Sequence, residues 1–156
     1  MRVHICAIGR LRAGPEDDLI KDYLDRFDKT GRQLGLGPAR VVEMDDRKGG
    51  GKVAEAGLLR RAVPNGAVVC AMDERGRQLS SPDWGAQLSK WRDSGRADLA
   101  VLIGGADGLA PDLVAEADFK LSFGKMVWPH MLVRVMLAEQ LYRAATILAG
   151  GPYHRG

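Results

Sequence analysis

Unbroken apolar runs and helically spaced apolar residues alternate along this chain. Leu99 to Ile103 is five apolar residues in a row, the pattern of a strand buried on both faces of a parallel sheet. Ala67 to Met72 reads the same way. Arg2 to Gly9 supplies a first strand on Val3, Ile5, Ala7 and Ile8, Ala39 to Met44 a second, and Phe119 to Phe123 a short last one.

Helices are predicted between them. Gly14-Pro15-Glu16-Asp17-Asp18 opens one that carries Leu19, Ile20, Tyr23, Leu24 and Phe27 at helical spacing and ends near Gly31, with a turn over Gly35 to Pro38. Val53 to Val63 forms another, closed by Pro64-Asn65-Gly66. Asp73 to Gly76 reads as a turn, and Ser80-Ser81-Pro82-Asp83 as an N-cap with proline at the first helical position. Trp84, Leu88 and Trp91 then share one inward face. Pro111 to Ala117 is a short helix. His130 to Ala149 is the longest, apolar on most sides, more than a chain of 156 residues can bury by itself, so a dimer interface is expected. Strand alternating with helix implies an α/β fold, a parallel sheet with helices on both faces, within one domain over residues 1–156. No repeat, low-complexity tract or linker interrupts it.

Composition adds bounds. The chain is 46% hydrophobic and 28% charged with net charge +3, ordinary for a globular protein and only mildly favourable to nucleic acid. Cys6 and Cys70 each lie inside an apolar run and read as small core residues. No signal peptide or membrane span is evident, so a reducing, cytoplasmic location is expected. His4, His130 and His154 are far apart and no C-x-x-C pair occurs, which argues against a metal site.

Three glycine or loop segments follow predicted strands: Met72 to Gly76, Gly104 to Gly108 and Phe123 to Trp128. In a parallel sheet such strand ends share one edge, so these segments converge on one crevice. Backbone amides and apolar side chains there suit a ligand with an adenine and a ribose. The Gly49-Gly50-Gly51 segment is not a P-loop, because Asp46 stands where the first glycine belongs and Val53 where Ser or Thr must hold magnesium. Its Arg47, Lys48 and Lys52 suit either contact with RNA phosphates or a solvated loop. His4 reads as structural, and His130, just after Pro129, as a helix cap or a site residue. Glu139 and Arg143 form an i, i+4 pair on an apolar helix, which places them in a structural ion pair or a functional cleft. Tyr153-His154-Arg155 offers a stacking ring, a group titrating near neutrality and a phosphate or base-edge donor.

Leu102-Ile103-Gly104-Gly105-Ala106-Asp107-Gly108-Leu109, Pro129-His130 with Leu132-Val133-Arg134-Val135, Ala138-Glu139-Gln140-Leu141-Tyr142-Arg143-Ala144 and Pro152-Tyr153-His154-Arg155, with Met72 to Gly76 and Ser80-Ser81 before them, together resemble the ribosomal RNA large subunit methyltransferase H family. Those are SPOUT-class enzymes that methylate N3 of a pseudouridine in large-subunit (23S) ribosomal RNA. The resemblance implies S-adenosylmethionine as donor, a C-terminal trefoil knot in the sheet, and a homodimer whose active sites each borrow from the partner. It places cofactor contacts on Met72, Gly104, Phe123, Gly124, Lys125, Met126, Val127 and Trp128. Catalytic and RNA-contacting roles fall on Glu139, Arg143, Tyr153, His154 and Arg155. Met131 stands where proline is expected, and side chains at 124–128 differ from the family pattern. The alternatives are a SPOUT methyltransferase acting on tRNA and an RNA-binding factor without catalysis. An ordinary nucleotide-dependent α/β enzyme lacks support, because no G-x-G-x-x-G follows the first strand.

Overall fold

The computed structural model describes residues 1–45 and 49–156. Arg47 and Lys48 of the basic segment lie outside the described residues. Five parallel strands, β1 (Arg2–Ile8), β2 (Ala39–Met44), β3 (Val68–Gln78), β4 (Asp98–Ile103) and β5 (Phe119–Ser122), form one sheet in the order β2-β1-β4-β3-β5. Five α-helices connect or follow them: α1 (Pro15–Gly31), α2 (Gly51–Ala62), α3 (Ser81–Asp93), α4 (Pro111–Glu116) and α5 (His130–Ala149).

The crossings from β1 to β2 and from β3 to β4 step one way along the sheet, and those from β2 to β3 and β4 to β5 step the other. Right-handed crossovers then put α1 and α3 on one face, α2 and α4 on the opposite one. The two cores follow this division. Val3, Ile5 and Ala7 pack with Phe27, Leu88 and Leu141, whereas Cys6 and Ile8 face Leu59 and Leu113. All six residues of β4 are buried, as its unbroken apolar run requires. Both cysteines are buried and free; burial pushes the Cys6 thiol up to about 11 and raises Cys70 as well, so neither is a thiolate near neutrality.

One expectation is corrected. Asp73 to Gly76 is not a turn ending a strand, because β3 runs on to Gln78. Its register against β5 shifts, with Met72 and Arg77 both opposite Leu121, so residues 73–76 bulge out of the ladder. Gly76 lies so close to β5 that a Cβ would sit 2.6 Å from the Lys120 carbonyl oxygen, and the Ser122 hydroxyl donates to the Glu74 carbonyl at 2.9 Å. Contacts between strands, which no local turn signal records, therefore hold this segment. α5 finds cover for one side within the chain. Arg134, Leu137, Ala138, Leu141, Ala144 and Ala145 are buried, and the helix packs on α1 and α3.

At the opposite sheet edge, Asp98 accepts from Arg2 at 2.8 and 3.0 Å and from His4 Nε2 at 2.8 Å. A carboxylate only accepts, so His4 carries its proton on Nε2, and its Nδ1 receives the Arg40 Nε–H at 3.4 Å. The structural reading of His4 stands. The bonds from Arg2 and then His4 hold the Asp98 carboxyl below its ordinary range. A depressed folded-state pKa adds stability above the unfolded carboxylate pKa of about 3.9, and that stability is lost as pH falls through the lowered value. Asp98→Asn is therefore expected to melt lower than the parent at pH 7 and to lose less on going below about pH 4. Thermal melts across pH 2 to 7 check this; parallel curves would refute it.

Candidate functional site

The three segments that follow β3, β4 and β5 meet, because those strands are neighbours in the sheet. They enclose a cavity of about 420 Å3. Met72 to Arg75 from the β3 bulge form one wall, Ile103 to Leu109 a second, and Phe123, Gly124 and Met126 to Trp128 a third, with Lys52, His130 and Val133 at the margins. Of the residues expected to hold a cofactor, Met72, Gly104, Phe123, Gly124, Met126, Val127 and Trp128 are in the wall; Lys125 is exposed and outside it. Asp73 is anchored by the Arg75 backbone N–H at 3.1 Å and the Arg75 guanidinium at 3.5 Å, so the bulge presents carboxylates at a fixed place. Pro129 occupies the N-cap position of α5 and makes no side-chain cap bond, and His130, the first residue of the helix, lines the cavity.

Gly104 has a demonstrable steric reason. A Cβ there would meet the Gly108 carbonyl carbon at 2.5 Å and the Leu109 nitrogen at 2.8 Å. The loop folds back on itself through the Gly108 N–H to Gly105 O bond of 3.0 Å, with Gly108 at φ +77. Gly104→Ala must push this wall of the cavity outward. Calorimetry with S-adenosylmethionine is expected to show binding weaker by about ten-fold; unchanged affinity would show that the 104–108 wall does not touch that ligand.

A second cluster gathers on α5 and the segment after it. Arg143 Nε donates to Glu139 Oε1 at 2.8 Å, and the Tyr153 hydroxyl donates to the same oxygen at 3.1 Å. Arg143 also contacts His154 Nδ1 at 3.2 Å and lies over the Tyr153 ring, 4.7 Å from its centroid. Tyr153 packs against Tyr142, whose ring stacks on Tyr23 of α1. Burial first, then the Glu139 charge, pushes the Tyr153 phenol up to about 12, so it stays a hydrogen-bond donor near neutrality. Four of the five expected residues are thus joined, while Arg155 is exposed and takes part in none of these bonds. Glu139 and Arg143 form an ion pair, but one that also organises a histidine and a tyrosine.

Glu139 faces a further cavity of about 510 Å3, bounded by α1, the start of α3 and α5. Leu121, Phe123 and Gly124 line both cavities. Arg143, Tyr153 and His154 line neither within the chain. Three contributors escaped the sequence reading. Arg134, on the buried face of α5, donates to the carbonyls of Ile8 and Gly9 and to Glu43. Gln140 and Ser81 extend the Glu139 cluster. A lone arginine among the apolar residues of a long helix was the available signal for the first; the other two stood inside motifs of the family resemblance, which assigned them no role.

A family model described as "Predicted SPOUT methyltransferase" matches residues 1–154. The ribosomal RNA large subunit methyltransferase H of Ruegeria pomeroyi is 72% identical over 155 residues, 99% of each chain. That of Dinoroseobacter shibae is also 72% identical over the same extent, and that of Ruegeria sp. strain TM1040 is 68% identical. Among solved structures, a probable methylase family protein from Haemophilus influenzae aligns with TM-score 0.57 at 12% identity over 99% of this chain and 70% of that one. A probable methyltransferase from Bordetella pertussis aligns with TM-score 0.54 at 14% identity, over 92% and 96%. At these identities the structural matches speak for the fold.

Proposed function

The chain belongs to the SPOUT methyltransferases, and within them to the ribosomal RNA large subunit methyltransferase H family; from that premise we propose that it methylates N3 of a pseudouridine in large-subunit ribosomal RNA, using S-adenosylmethionine. One observation carries this reading. A ligand-sized cavity at three strand ends shares Leu121, Phe123 and Gly124 with a second cavity that Glu139 and Gln140 line. Donor and acceptor sites of a transfer reaction must adjoin in this way.

The cofactor fits the first cavity chemically. Its walls offer main-chain groups at 104–108 and 123–128, apolar surface from Met72, Ile103 and Val133, and the acids Asp73 and Glu74 suited to a cationic ligand. Bound S-adenosylmethionine supplies an electrophilic methyl group. The protein's part is alignment and removal of the N3 proton. His154, whose Nδ1 accepts from Arg143 within the chain, takes that proton on Nδ1 once the arginine swings to the base, Tyr153 stacks on the base, and Arg143 and Arg155 steady negative charge on the neighbouring carbonyls. Tyr153 serves as ring and donor, because its raised pKa unfits it as a base.

The reading includes a homodimer. Met126, Val127 and Trp128, with Met131 and Leu132 on the first turn of α5, are exposed apolar residues beside the first cavity, and a contiguous patch of this kind suits a subunit interface. The segment bearing Tyr153 and His154 stays outside its own chain's cavity, so a partner completes each site. The reading also includes the trefoil crossing after β4 and a cytoplasmic setting; among the described residues no helix is long and apolar enough to cross a membrane. Mass mapping of methylated nucleosides in RNA from cells with and without the gene tests the function. Loss of a methylpseudouridine from large-subunit RNA is expected. Loss of a tRNA methyl group, or of none, overturns it.

A further inference from the structure

The larger cavity has a polar wall whose hydrogen-bonding capacity is only half used. Gln140 is held at both ends of its amide: the Ser81 hydroxyl donates to Oε1 at 2.7 Å, and Nε2 donates to Glu139 Oε2 at 3.1 Å. Because a carboxylate can only accept, the NH2 group must face Glu139, and this settles which way the amide points. A primary amide has two N–H donors and two acceptor lone pairs. Among the described residues one of each is taken, which leaves one N–H and one lone pair for an occupant. Tyr23 and Phe123 line the same cavity and give it aromatic surface.

We propose that this cavity receives the acceptor base, and that the free amide edge of Gln140 tells pseudouridine from uridine. The inference rests on the function proposed above and adds the residue that selects the substrate. In pseudouridine the ribose is attached through carbon, so N1 carries a hydrogen; in uridine N1 is bonded to the ribose and has none. Gln140 Oε1 accepts from the base N1–H while Nε2 donates to the adjacent O2. This pairing leaves N3 clear of Gln140. Presented with uridine, Oε1 keeps the Ser81 hydroxyl but its second lone pair finds no donor on the base, and a site built to bond a group disfavours the analogue lacking it. Ser81 is a positioning residue, since it acts by keeping Oε1 turned to one orientation.

The test uses ribosomes whose target base is pseudouridine and ribosomes from cells without the synthase that makes it, so that the base stays uridine. Initial methylation rates are measured with labelled S-adenosylmethionine. The parent enzyme is expected to favour pseudouridine by at least about ten-fold, the scale of a two-bond amide contact to a base. Gln140→Met keeps the side chain's length and is expected to bring the ratio to within about two-fold. Ser81→Ala is expected to lower the ratio part of the way and Ser81→Thr to restore it. Calorimetric affinity for S-adenosylmethionine should be unchanged in all three, which separates selection from misfolding. If Gln140→Met retains the parent ratio, or if both rates fall together, Gln140 is not the reader; should Gln140→Met fail to fold, Ser81→Ala decides by the same ratio. A parent enzyme that methylates neither substrate overturns the proposed function itself.

Discussion

A Glu139→Ala enzyme is expected to bind S-adenosylmethionine normally and to transfer its methyl group slower by roughly 10³-fold, the range spanned by loss of a positioned acid–base group or of a charge-stabilising donor. Glu139 is the hub of the candidate acceptor site. One oxygen accepts from Arg143 and Tyr153, the other from Gln140. Truncation frees all three at once and leaves the Arg143 guanidinium beside His154 without its counter-charge. The carboxylate also holds Arg143 more firmly protonated, principally through their hydrogen bond. Since Glu139 lies outside the wall of the cavity proposed for the cofactor, the KM for S-adenosylmethionine should hardly move while kcat collapses. His154→Ala should lose about 10²- to 10⁴-fold in single-turnover methylation if its imidazole removes the N3 proton. Calorimetry with rapid-quench measurements settles both. An undiminished single-turnover rate in either variant would take that residue out of the chemistry.

The second large effect concerns stability. Arg134 is 1% exposed, the largest fully buried side chain, in the middle of an otherwise apolar helix face. Its guanidinium donates to the carbonyl oxygens of Ile8 at 2.8 Å and Gly9 at 2.9 Å, where β1 ends, and to Glu43 at 2.8 Å. Glu43 in turn accepts the Leu11 backbone N–H at 2.6 Å. One side chain thereby ties α5 to β1, β2 and the loop between β1 and α1. Removing it leaves the Ile8 and Gly9 carbonyls without this donor, takes one of two donors from the half-buried Glu43 and opens an empty volume; loss of a largely buried charged side chain of this kind costs about 3–5 kcal/mol. Arg134→Ala should therefore melt lower by roughly 6–20 °C, given about 2–4 °C per kcal/mol for a domain of this size. Arg134→Lys, with a single charged nitrogen in place of a fork, should recover only part of this. Differential scanning calorimetry checks both; a loss within the scatter of surface substitutions would mean the site relaxes around the gap.

The elements were legible because they are written in local spacing. Apolar runs at Leu99 to Ile103 and Ala67 to Met72 became the buried β4 and the start of β3, and Trp84 and Leu88 turned inward as their four-residue separation required. The glycines after β4 marked one wall of the 420 Å3 cavity. Adjacency of β4, β3 and β5 in the sheet then brought the three loops together. A misreading arose where a local signal was overruled from a distance. Asp73 to Gly76 has turn chemistry, yet β5 holds it as a bulge.

By itself, then, the sequence determined the alternation of strand and helix, the edge at which loops gather and the family motifs, because helix pitch, strand pleat and glycine's missing Cβ are properties of short stretches of backbone. Only the tertiary structure decided that Arg134 meets Glu43 across 91 residues and that Gln140 is locked by Ser81 across 59. Such meetings depend on how whole helices dock against a sheet, and no spacing along the chain encodes the separation of two atoms that packing alone brings together.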